Sequence, residues 1–151
     1  MGKTGETFAR LIHIGMVVKD MDQAVKRFTE LGIGPFTPRI LPADAREKYR
    51  GKPFSPAERV KIQITRIGNL ELELIQPLEG NSPHREFLEA KGEGIQHLGF
   101  VVDNLKTEVE SLTQKGSSIV LTSEFKNGGG VAYLDLDAAG LIVELVQPPP
   151  R

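Results

Sequence analysis

The 151-residue sequence contains no cysteine and no tryptophan. The first absence excludes disulfide stapling, thiol nucleophiles and thiolate metal ligation, so any bound metal must take nitrogen and oxygen donors. Aromatic residues are sparse, seven Phe and two Tyr. Neither sign of charge is in excess: 19 Lys and Arg stand against 20 Asp and Glu, a formal net charge of −1. That balance lacks the basic footprint of a nucleic-acid binder. No apolar run approaches the roughly 20 residues of a membrane-spanning helix. Met1 to Arg10 lacks a signal-peptide core, and Gly2 is followed by Glu6 where a myristoylation signal needs Ser or Thr. These absences fit a cytoplasmic protein that binds neither nucleic acid nor membrane. The chain is long enough to bury roughly two-thirds of its unfolded surface.

What the sequence does contain is a long repeat. Ile12-His13-Ile14-Gly15-Met16-Val17-Val18 returns as Gln96-His97-Leu98-Gly99-Phe100-Val101-Val102, and Glu73-Leu74-Ile75-Gln76-Pro77 returns as Glu144-Leu145-Val146-Gln147-Pro148. Each copy has one histidine in its first apolar run and one glutamate in its last. A period this long marks two copies of one supersecondary unit, since a solenoid needs three or more short repeats. The histidines are 84 positions apart and the glutamates 71, so the first copy carries 13 extra residues between its pair. Those residues fall between Gly34 and Arg59, where Pro35, Pro38, Pro42, Gly51, Pro53 and Pro56 are expected to exclude regular structure.

Each copy reads as βαβββ. Leu11 to Lys19 is a strand; Asp20 caps a helix carrying Met21, Ala24, Val25, Phe28 and Leu31, stopped by Gly32. Val60 to Ile67 alternates as a half-buried strand and turns at Gly68-Asn69 into Leu70 to Ile75. In the second copy Ile95 to Val102 is a strand, Asn104 caps a helix ending at Gly116, and Ser118 to Thr122, Val131 to Leu136 and Leu141 to Gln147 are strands. Ser82-Pro83 opens a short linking helix. One domain over 1–151 is expected, with module one at 9–78, the linker helix at 79–94 and module two at 95–148.

Strand parity decides where the candidate ligands point. Ile12, Ile14, Met16 and Val18 belong to the helix side, leaving His13 and Gly15 opposite; Leu98, Phe100 and Val102 do the same for His97 and Gly99. Leu70, Leu72 and Leu74 oppose Glu71 and Glu73, and Leu141, Val143 and Leu145 oppose Glu144. The expected fold is α+β: two βαβββ modules forming a curled eight-stranded mixed sheet around a metal-binding cavity. A single histidine or glutamate in an apolar strand is more often a hydrogen-bonded core group than a ligand. Two of each at equivalent places favour one divalent cation, because it neutralises both buried carboxylates together. Imidazole with carboxylate suits Co²⁺, Mn²⁺, Ni²⁺, Zn²⁺ or Fe²⁺ over Ca²⁺. Lys61, Gln63 and Thr65 are expected by alternation on the cavity side, as substrate-binding groups or as a solvated strand face.

The paired βαβββ pattern, the strand histidines and the paired Glu-Leu-aliphatic-Gln-Pro endings resemble the vicinal oxygen chelate superfamily of glyoxalase I, methylmalonyl-CoA epimerase, extradiol dioxygenases and antibiotic resistance proteins. The likeness covers nearly the whole chain. It is closest to methylmalonyl-CoA epimerase, because Gly80-Asn81-Ser82-Pro83, Phe87-Leu88, Gly92, Gly94-Ile95 and His97 are similar to that family's linker. The chain departs from it in having Gln96 where the epimerases carry a second histidine. The resemblance implies metal ligands His13, Glu73, His97 and Glu144, and a homodimer. It also implies an epimerase that abstracts a proton through a metal-stabilised enolate, with Glu144 as one base and Glu73, or Glu71 beside it, as the other. A glyoxalase I-like lyase or isomerase and a non-enzymatic binding protein of the same fold are the alternatives.

The loop carries Arg39, Arg46, Lys48, Arg50, Lys52 and Arg59 against Asp44, Glu47 and Glu58, with Tyr49 and Phe54 between them. These residues suit the phosphates and ring of an acyl-CoA or, more simply, a solvated lid. His84, in the linker helix, is expected to be exposed and without a chemical role. Gly128 to Gly130 reads as a hairpin or pocket mouth, since no helix follows it to make a phosphate cradle.

Overall fold

A computed structural model describes residues 6–42, 44–54 and 60–151. The described chain is α+β, with ten strands in mixed pairing and three α-helices. It divides into two compact units. One draws on Met1–Ile12, Pro42–Phe54 and His97–Arg151, the other on His13–Leu41 and Ser55–Gln96. No helix among the described residues is long and apolar enough to cross a membrane.

The unit that begins at His13 is built on β1 (Leu11–Val17), α1 (Met21–Glu30), β2 (Thr37–Pro38), β5 (Val60–Ile67) and β6 (Leu70–Pro77). Its strands lie in the order β2-β5-β6-β1, with β1 parallel to β6 and the other pairs antiparallel. Asp20 caps α1 as expected, its Oδ1 accepting the Gln23 N–H at 3.1 Å. The helix lays Met21, Ala24, Val25 and Phe28 on Leu72 and Leu74 of β6 and on Ile14, Met16 and Val18. Met21 is the buried residue of the helix, worth about 1.5–3 kcal/mol, while Ala24, Val25 and Phe28 are partly buried and contribute less. Ser82 caps the linker helix α2 (Pro83–Lys91) through Arg85 N–H, with proline at the first helical position where its missing N–H costs nothing.

The other unit contains β3 (Arg46–Tyr49), β4 (Lys52–Phe54), most of β7 (Gly94–Val101), α3 (Leu105–Gln114), β8 (Ser118–Glu124), β9 (Gly130–Asp135) and β10 (Ile142–Gln147). Its strand order is β7-β10-β9-β8-β3-β4, in which the first four repeat β1-β6-β5-β2. α3, capped by Asn104 through Thr107 N–H, presses Leu105, Val109 and Leu112 onto Ala132, Leu134, Val143 and Leu145.

The eight-strand expectation needs correction, and the surplus comes from the segment expected to be irregular. Within it β3 and β4 form a hairpin whose two-residue turn, Arg50-Gly51, has φ of 52° and 80°, the primed geometry that matches strand twist. Pro53 is tolerated because β4 is an edge strand whose outer side needs no N–H donor. β3 pairs antiparallel with β8.

The glutamines of the repeated Gln-Pro endings have a structural task. Gln76 Oε1 accepts the Met21 N–H at 2.8 Å and Gln147 Oε1 accepts the Leu105 N–H at 2.7 Å, so each satisfies the first orphan donor of its own unit's helix.

Candidate active site

The duplicated pairs sit in the same register in both units. On parallel β1 and β6, His13 lies opposite Glu71 and Gly15 opposite Glu73; on parallel β7 and β10, His97 lies opposite Ile142 and Gly99 opposite Glu144. In both copies a glycine therefore faces the glutamate, leaving space where a side chain would stand. His13, Glu73, His97 and Glu144 are all buried.

In the unit holding His13, Glu73 shares its face with Ile75, Ile62 and Ile64, since residues opposite each other on paired strands point the same way. Arg39, just past β2, reaches this face. Its Nη1 donates to Glu73 Oε2 at 2.8 Å and its Nη2 to Glu71 Oε1 at 2.7 Å.

The other unit treats its glutamate differently. Glu144 Oε2 is 3.1 Å from His97 Nε2, and the His97 ring packs on Tyr133, the residue opposite Glu144 on β9, at 4.8 Å between centroids. Following the register outward, Tyr133 lies opposite Leu121, Val131 opposite Ser123, and Ser123 opposite Glu47, so Glu47 shares the Glu144 face. Burial pushes the Glu47 carboxyl from the ordinary 4.5 up to about 7; the Ser123 hydroxyl beside it pulls partly the other way, and the charge of Glu144 adds to the rise. Glu47 Oε2 and Ser123 Oγ are buried without a full hydrogen bond among the described residues, so the hydroxyl acts on the carboxyl by proximity.

The donor set fits a divalent cation. Two ligands about 2.1 Å from one ion and about 90° apart lie about 3 Å from each other, and His97 Nε2 and Glu144 Oε2 are 3.1 Å apart. Buried carboxylates also require a counter-charge. Among the described residues, His13, Glu73, His97 and Glu144 are the buried set able to hold a metal ion.

Other expectations fare unevenly. Lys61, Gln63 and Thr65 do not share the glutamate face: they lie opposite Gln76, Leu74 and Leu72, on the side that packs against α1. The apolar set Val60, Ile62 and Ile64 packs instead with Ile75 and Leu41. Strand alternation identified two faces correctly and assigned them to the wrong sides. His84 is buried rather than exposed, its Nδ1 2.9 Å from Gln96 Oε1, while Gln96 Nε2 donates to Pro83 O at 3.2 Å. Of the loop residues, Arg46, Lys48 and Lys52 are exposed, and Glu58 and Arg59 lie outside the described residues. The group that sequence reasoning passed over is Glu47. Its signal was the alternation Arg46-Glu47-Lys48-Tyr49, which puts Glu47 and Tyr49 on one face and the cations on the other.

Residues 12–133 match the Glyoxalase/Bleomycin resistance protein/Dioxygenase superfamily, and the chain belongs to it. The sequence is 31% identical over 144 residues to the mitochondrial methylmalonyl-CoA epimerase of Bos taurus, covering 91% of this chain and 74% of that protein. It is 30% identical over 135 residues to the uncharacterized protein YqjC of Bacillus subtilis (strain 168), covering 82% and 94%. A solved structure of a Streptomyces coelicolor methylmalonyl-CoA epimerase variant in complex with 2-nitronate-propionyl-CoA is similar in fold. Its TM-score is 0.68 at 20% identity, covering 93% of this chain and 98% of that one.

Proposed function

We propose that this chain is a metal-dependent epimerase of the methylmalonyl-CoA type, moving a proton off and onto the carbon between a carboxylate and a thioester carbonyl of an acyl-CoA. One observation carries the reading: the two glutamates of the duplication have opposite surroundings. Glu73 is ion-paired with Arg39, whereas Glu144 has beside it Glu47, a carboxyl with pKa about 7. The groups able to carry protons thus gather around Glu144, while Glu73 is held by a guanidinium.

His13, Glu73, His97 and Glu144 are the proposed ligands of one divalent cation, of the Co, Mn, Ni, Zn or Fe kind. When bound, the cation supplies Lewis-acid stabilisation of the negative charge that develops on two substrate oxygens. Epimerisation removes a proton from one face of a carbon and returns one to the other, so it needs two proton carriers. Glu144 and Glu47 are assigned those roles. A carboxyl whose pKa lies near neutrality exists in both protonation states and serves either direction of transfer. Glu73 is assigned to ligation alone, because a guanidinium already occupies one of its oxygens. Tyr133 and the isoleucines beside Glu73 line the same faces and exclude water.

The deciding experiment is proton exchange in deuterated water. Metal-loaded protein mixed with methylmalonyl-CoA is expected to wash deuterium into the carbon between the carbonyls, read by NMR. Absence of exchange together with turnover of a glutathione hemithioacetal would assign the chain to the glyoxalase type. A preparation that takes up no metal and turns over neither substrate would make it a binding protein of the same fold.

A further inference from the structure

We infer that Arg39 is a positioning residue for the cation site, presenting Glu73 as a single-oxygen ligand, with Glu71 cancelling the charge that Arg39 would otherwise set against the metal. The inference rests on the proposed ligand set of His13, Glu73, His97 and Glu144.

Arg39 is held by its backbone before its side chain acts. Thr37 lies opposite Ile64, and the Arg39 N–H donates to Ile62 O at 3.0 Å. Two residues on from Thr37, Arg39 points the same way, toward the face of Glu73. From there the guanidinium forks, Nη1 to Glu73 Oε2 at 2.8 Å and Nη2 to Glu71 Oε1 at 2.7 Å. Glu71 and Glu73 are alternate residues of β6, so their carboxylates stand side by side on one face, spaced for a rigid planar fork to bridge them.

This arrangement has two effects on ligation. With Oε2 engaged by Arg39, the Glu73 carboxylate is fixed in one orientation, and Oε1 would be the oxygen it presents to a cation. An oriented single oxygen leaves coordination positions for a chelating substrate that a bidentate carboxylate would fill. A guanidinium this close to a metal ligand would by itself oppose the cation. Glu71 neutralises it, so the ligand keeps its orientation without losing its charge. The second repeat has Ile142 at the position equivalent to Glu71, so the device belongs to the first repeat alone.

The test is Co²⁺ binding to the full chain, followed by titration and by the visible absorption of the bound ion, which reports coordination number. Arg39→Met is expected to weaken Co²⁺ binding about 10- to 100-fold and to change the absorption spectrum. Arg39→Lys, which keeps the charge without the fork, is expected to fall between it and wild type. Glu71→Gln, leaving the guanidinium uncompensated, is expected to weaken binding by about three- to tenfold with a spectrum close to wild type. Wild-type affinity and spectrum in Arg39→Met would overturn the inference while leaving the ligand set intact. Failure of the wild-type chain to bind Co²⁺ would remove the ligand set, and this inference with it. If circular dichroism shows Arg39→Met unfolded, unchanged binding in Arg39→Lys and Glu71→Gln overturns it equally.

Discussion

Glu144 Oε2 and His97 Nε2 stand 3.1 Å apart on neighbouring parallel strands, with Gly99 directly opposite the glutamate. That spacing suits either a hydrogen bond or two ligands sharing an ion, and metal content separates the two. Protein purified without added metal is expected to carry about one divalent ion per chain, and His97→Ala to lose most of it. Retention of the ion by a folded His97→Ala protein would reject the ligand set.

The Glu47 carboxyl makes a distinct kinetic prediction. Glu47→Gln keeps the size of the side chain and removes its proton-transfer capacity. Epimerisation is expected to slow by about 10²- to 10⁴-fold, while deuterium exchange persists for the one epimer whose proton faces Glu144. Equal loss of exchange from both epimers would mean that Glu47 serves the site as a whole instead of one face of the substrate.

The same group links pH to stability. In the folded protein the Glu47 pKa is about 7, against an ordinary 4.5. Between those values the folded chain retains a proton that the unfolded chain has released, so stability falls as pH rises through this window. The contribution is complete below about pH 4.5 and gone above about pH 7; allowing for partial exposure it is about 1–3 kcal/mol. Other groups titrate over the range, so the readout is a difference. Urea unfolding of metal-free protein should give Glu47→Gln a flatter stability profile than wild type from about pH 5 to about pH 8. Parallel profiles would place the carboxyl at its ordinary pKa.

Much of this architecture was legible in the chain because duplication and period-two alternation are local patterns. His13 and His97, Glu73 and Glu144, and the caps Asp20, Ser82 and Asn104 follow from them, and the structure has all three caps in place. What was hidden depends on which strand lies beside which. The pairing of Arg39 with Glu73 spans 34 residues, and Glu47 meets Ser123 only because β3 pairs with β8. Proline masked the β3–β4 hairpin, since nothing in the local sequence says that Pro53 falls on an edge. Alternation in β5 separated Lys61, Gln63 and Thr65 from Val60, Ile62 and Ile64. It could not say that the apolar set packs away from α1, because alternation separates two faces without telling which one meets the helix. The repeated Gln76 and Gln147 were visible as a pattern, and their purpose emerged only where each met a helix N-terminus.

The glycine run has the clearest steric consequence. A Cβ on Gly130 would stand 2.8 Å from Ser123 O and 3.4 Å from Leu105 Cδ2. The first contact is to backbone of β8, so relief requires moving the strand that carries Ser123 beside Glu47. Gly130→Ala is therefore expected to destabilise the fold by about 1–3 kcal/mol and to reduce deuterium exchange further than unfolding alone accounts for. Gly68→Ala is the contrast: at φ +58° it has nothing within 4 Å of the added methyl, so only backbone strain of about 1 kcal/mol is expected, with exchange unchanged. Paired measurements of chemical denaturation and exchange rate separate the two. Exchange that falls equally in both variants would show that Ser123 and Glu47 tolerate displacement, and that the close approach at Gly130 serves packing alone.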